Sequence, residues 1–183
     1  MSTVLEDIAA LQAREADTEF LVRKSMTKGY QLFSALVPPA YTGFVLLRRP
    51  RGHFSINRLL RATWVGGGVG ASLFLSQNWI ATGGAYGYAR SVSSSPDALR
   101  MRRLRAAYDA DSLRADDHAT IGALLFAVLT PAVLWKRATT IHLILGGAGL
   151  GAAVGLTTHT VRHITGDPAP PTPLPEIIKR RDS

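Results

Sequence analysis

The sequence has no cysteine, which excludes a disulfide framework and a thiolate metal centre but does not fix the compartment. Aromatic residues are sparse, at 8% of 183 residues, and they do not interleave with the basic ones. A stacking platform for single-stranded nucleic acid is therefore not expected, and no nucleic-acid partner is predicted. Acids number thirteen against twenty-one Lys and Arg, for a formal net charge of +8. The most informative absence is of charge within four long apolar runs. An overall hydrophobic share of 46% is ordinary for a globular chain, but its distribution is not. Charge gathers between the runs, the pattern of a chain whose solvent changes from water to lipid and back.

The runs are Tyr30 to Leu47, Ala62 to about Tyr88, Ala119 to Trp135 and Thr139 to Thr160. At about 1.5 Å rise per residue each is long enough, or nearly so, to cross a bilayer core. The expected fold is all-α: an integral membrane protein with about four transmembrane helices, near 30–47, 62–86, 119–135 and 139–160, and amphipathic helices outside the membrane. Pro38-Pro39 lies in the middle of the first run and should kink it. Residues 1–28 read as a polar amphipathic helix, with Leu5, Ile8 and Leu11 at helical spacing. The membrane domain covers 29–163. It includes a polar loop, 91–117, in which 97–113 reads as one helix with Met101, Leu104 and Tyr108 on a face. Residues 164–183 form a Pro-rich, extended tail. Met1 to Asp17 carries Glu6, Asp7, Glu15 and Asp17, so neither a secretory signal nor an Arg-rich cleaved presequence is expected.

Four spans place the first and third connections on one side. These hold Arg48, Arg49, Arg51, Arg58, Arg61, Lys136 and Arg137 and no acid, whereas the termini and the middle loop hold all the acids. Charge bias in short loops puts the two basic connections inside, in cytoplasm or matrix. Arg48, Arg49, Arg51, Arg58 and Arg61 are candidate contacts for anionic phospholipid, cardiolipin included.

Small residues four apart share a helix face and let a second backbone approach. Gly66 and Gly70, Gly83 and Gly87, and Gly147, Gly151 and Gly155 are the candidate packing positions. The last three are expected to pack within the bundle, and the cluster around Gly70 against a partner helix. A dinucleotide loop would need a preceding strand and a later acid, neither of which is in place. His159 and His163 share a helix face, but no acid completes a metal set in sequence, and His118 would join them only if the third and fourth spans align those ends. His142 and His159 lie about 25 Å apart on one helix. Gln77 and Asn78, deepest in the second run, should bond to another helix. No charge lies deep in any run and no catalytic motif stands out, so the expectation is a chain that is not an enzyme, with no catalytic, cofactor or metal residue.

Phe54-Ser55 followed by Leu59-Leu60-Arg61-Ala62-Thr63, running into a Gly-rich span, resembles the fungal accessory membrane subunits of mitochondrial complex I across residues 29 to 90. The four Gly-rich spans are also similar to the translocase inner-membrane family. The first resemblance implies a non-catalytic structural or assembly subunit of an inner-membrane respiratory complex, partnered by other subunits, with basic loops in the matrix and termini in the intermembrane space. A translocase or channel component, or a small haem- or metal-binding redox protein, is the alternative.

Overall fold

The computed structural model describes residues 2–48, 55–72, 88, 90, 93–167 and 169–170. Every element among them is α-helical: α1 (Ser2–Arg48), α2 (Ile56–Ser72), α3 (Pro96–Ala107), α4 (Ala110–Leu134) and α5 (Thr140–Ile164). Three of these, α1, α4 and α5, are long and apolar enough to cross a membrane, which marks the chain as a membrane protein. The expected four spans reduce to three among the described residues. The second run enters α2, but its later half, with Gln77, Asn78, Gly83 and Gly87, lies outside them.

The amphipathic helix expected over 1–28 and the span expected from Tyr30 are one helix of 47 residues. Gly29 stands at the junction where a helix could have ended, but the backbone runs through it without a break. Pro38 and Pro39 also lie inside this helix. Each lacks an N–H, and Thr42 Oγ1 donates to the Pro38 carbonyl at 2.8 Å.

The single helix expected over 97–113 is instead two. Ser95 caps α3 by accepting from Ala98 N, with Pro96 at the first position and Asp97 in the first turn. α3 ends at Tyr108, whose N–H donates to the Leu104 carbonyl. Asp109 then caps a fresh helix, its carboxylate accepting from Ser112 N at 3.2 Å. That helix continues without interruption into the third apolar run, so α4 starts nine residues before the expected span.

The fold is organised by glycine. On the α4–α5 hairpin, a Cβ on Gly155 would fall on the His118 carbonyl, one on Gly151 would fall on the Gly122 carbonyl, and one on Gly147 would stand 2.6 Å from the Phe126 carbonyl. Each four-residue step along one helix is met by an opposite four-residue step along the other, so the helices are antiparallel neighbours with one continuous seam. The α1–α2 pair is built in the same way. A Cβ on Gly70 would strike the Gly29 carbonyl and Phe33, one on Gly67 would strike Ser34 and Tyr30, and one on Gly66 would strike Val37. Leu60 and Thr63 of α2 then fill the hollows at Gly146 and Gly149 of α5, joining the two pairs. Leu60, Thr63 and Leu143 are fully buried there.

These contacts correct one expectation. The Gly70 face is not available to a partner helix, because α1 of the same chain already occupies it. The two polar segments are likewise engaged with each other. Asp17 pairs with Arg103, whose guanidinium also lies 5.6 Å from the Phe20 ring. Lys24 donates to the Ala106 carbonyl at the end of α3. Asp116 accepts from Lys28 at 2.7 Å and from Gln31 at 2.8 Å.

Candidate functional site

Two clusters of polar side chains mark opposite ends of the bundle. The first depends on the glycine seam. With Gly155 seated on His118, the ends of α4 and α5 align, and His118 meets His159 edge to face at 5.8 Å between ring centroids. His159 and His163, one turn apart on α5, have centroids 6.4 Å apart. The acid that the sequence reading could not find comes from the first turn of α4. Asp111 Oδ1 lies 3.3 Å from His159 Nε2 and 3.9 Å from His163 Nε2. Its position was inferable once the tight turn at 136–138 is accepted, because Asp111 lies about as far before the turn as the two histidines lie after it.

The hydrogen bonds around His118 fit the neutral tautomer with its proton on Nδ1. That atom donates to the Arg114 carbonyl at 2.7 Å, and Nε2 accepts from Arg162 Nη1 at 3.4 Å. Arg114 in turn binds the Asp167 carboxylate at 2.7 Å, just beyond α5. The arrangement is an electrostatic clasp across the open end of the hairpin. His159 is buried, while His163 and Asp111 are about half exposed at 54% and 52% of their side-chain surface. Among the described residues no group of three or more histidines and acids is arranged to hold a metal ion. His142 lies away from this cluster. It accepts a 3.0 Å bond from Trp64 Nε1 and stacks against that ring, tying α5 to α2.

The second cluster is basic. Asn57 Oδ1 accepts from the backbone N–H and the hydroxyl of Thr139, both at 3.4 Å. This contact draws the start of α2 against the α4–α5 turn. Arg58 and Arg61 on α2, and Lys136 and Arg137 in the turn, are exposed at this end. Arg48 closes α1 there, 5.4 Å from the Phe44 ring. Arg49 and Arg51 lie outside the described residues. The structure therefore places three of the candidate lipid-contact arginines at one end and adds Lys136 and Arg137 to them.

Of the candidate packing glycines, Gly66, Gly70, Gly147, Gly151 and Gly155 all face another helix closely. Gly122, which the spacing argument passed over because no second small residue stands four away from it, is the counterpart of Gly151. No family model matches the chain, and no curated protein or solved structure does so either.

Proposed function

We propose that this chain is a non-catalytic structural subunit of a membrane assembly. The observation that carries this reading is the division of α4 into two faces. Its inner face is closed onto α5 through backbone contact at Gly122. Its outer face presents Ile121, Leu124, Leu125 and Val128, all exposed and spaced for one helical stripe. Such a hairpin has a seam closed by backbone contact and an outer face free to meet lipid or another helix. Stretches 32–47, 118–134 and 140–161 contain no Asp, Glu, Lys or Arg, which argues against ion or proton transport.

The assembly we infer is a respiratory complex of the mitochondrial inner membrane, complex I above others. That inference rests on the resemblance of residues 29–90 and on nothing in the packing. In this reading the basic end faces the matrix, the termini face the intermembrane space, and phospholipid and neighbouring subunits cover the exposed stripe. Native electrophoresis of gently solubilised membranes tests it. Co-migration with complex I supports the proposal, and migration as a free small protein overturns it. Co-migration with an import translocase would support the translocase reading instead. A small haem- or metal-binding redox protein is the further alternative, for which a Soret band in the purified protein is the signature.

A further inference from the structure

The two ends of the bundle treat their cations differently. At the histidine end, Arg23 pairs with Glu19, Lys28 with Asp116, Arg103 with Asp17 and Arg114 with Asp167. At the other end, Arg48, Arg58, Arg61, Lys136 and Arg137 form no ion pair among the described residues. They come from separate connections, which the bundle brings to the same end. Asn57 bonds to Thr139, Trp64 bonds to His142, and Leu60 is wedged at Gly146, so the first turns of α2 are fixed against the first turns of α5.

Their depth identifies what they meet. From His118 to Trp135 the α4 side rises about 26 Å without a charged residue, close to the thickness of a bilayer hydrocarbon core. Trp135 is 68% exposed at the end of that stretch, where aromatic residues mark the membrane boundary, and Lys136 and Arg137 follow at once. Lys136 and Arg137 at this level lie among lipid phosphates, and Arg58 and Arg61, which start deeper beside Leu60 at Gly146, extend toward it on long apolar stems. A guanidinium offers a planar fork that matches a phosphate, and an ammonium adds a compact charge.

We propose that Arg58 and Arg61 of one connection and Lys136 and Arg137 of the other form a single binding site for the headgroup of an anionic phospholipid. The proposal rests on the membrane reading of the helices and not on membership of any assembly. It is tested on the purified full chain in neutral detergent, by native mass spectrometry and thermal unfolding. The titrants are phosphatidylglycerol, cardiolipin, phosphatidylcholine, inorganic phosphate and a poly-glutamate peptide.

Phosphatidylglycerol and cardiolipin are expected to remain bound and to raise the melting temperature, less so at high salt. Arg58→Gln with Arg61→Gln, and Lys136→Gln with Arg137→Gln, should each weaken binding by about tenfold or more. Arg58→Lys with Arg61→Lys should retain most of it, which separates loss of charge from loss of fold. Equal retention of phosphatidylcholine would overturn the proposal. So would full binding after neutralising either pair, because the site would not then be shared. Stabilisation by inorganic phosphate alone would assign the site to a free anion, and preferential binding of poly-glutamate would assign it to an acidic protein. Each of these also overturns the lipid headgroup.

Discussion

Gly122 and Gly151 meet backbone to backbone, each standing where a Cβ on the other would collide with a carbonyl. A side chain clash there cannot be relieved by rotating a neighbouring side chain, because the obstacle is a carbonyl. Gly151→Ala and Gly122→Ala are each expected to destabilise the hairpin by about 1–3 kcal/mol through overpacking. Gly68 and Gly43 have no neighbour within 4 Å in the direction of a Cβ. Gly68→Ala should therefore be neutral or stabilise by up to about 1 kcal/mol, since alanine is the better helix former. Denaturant titration in detergent, followed by circular dichroism, measures all three variants on one scale. The clasp allows a comparison within one acid. Double-mutant cycles of Asp111→Asn with His159→Gln and with His163→Gln should give the larger coupling for His159, which is the buried and nearer partner. Equal couplings would mean that burial of His159 adds nothing.

At the scale of elements, the α1 latch and the α1–α2 contact carry the expectations. Asp116 receives both Lys28 and Gln31, and it is the junction between α1 and α4. Asp116→Ala leaves two donors unmatched in a partly buried place and should cost about 1–3 kcal/mol. Hydrogen exchange should rise in α3 and around residues 17–31 while the glycine seam stays protected. Gly70→Leu drives a side chain into Gly29 and Phe33, so it should lower recovery of the folded chain itself. Release of a well-folded variant from its assembly would instead return Gly70 to the role of a docking face. The apolar runs and the importance of glycine were legible in the sequence because lipid imposes both. The partner of each glycine face was not, since a stripe of small residues permits a neighbour without naming it. The Tyr108–Asp109 break was missed for a related reason. The 97–113 segment keeps its amphipathic spacing through a cap that only Asp109 signals. Asp111 went unmatched to His159 and His163 because its contribution depends on the register of the hairpin.

For the whole molecule, the separation of paired and unpaired cations gives it polarity from end to end. The charge pattern made the basic end legible, but the pairing of Asp17, Asp116 and Asp167 with distant cations required the fold. A cysteine at Val128, on the outward stripe of α4, should resist a water-borne thiol reagent in intact membranes, whereas one at Ile8 should react. Rapid labelling at Val128 would take α4 out of the bilayer.

α1 has a further consequence through its length. Forty-seven residues at about 1.5 Å each make a rod of roughly 70 Å, more than twice a hydrocarbon core. The lower part is committed to the bundle, and the latch at residues 17–31 steadies the middle. The first turns, with Leu5, Ile8 and Leu11 exposed, extend past both. The chain thus carries a stiff mast. A fluorophore at Ala9 should stand up to about 30 Å above the level of Tyr30 along the helix. Energy transfer to a dye in the bilayer would read that height, and a force on the tip would reach the Pro38-Pro39 pair as torque.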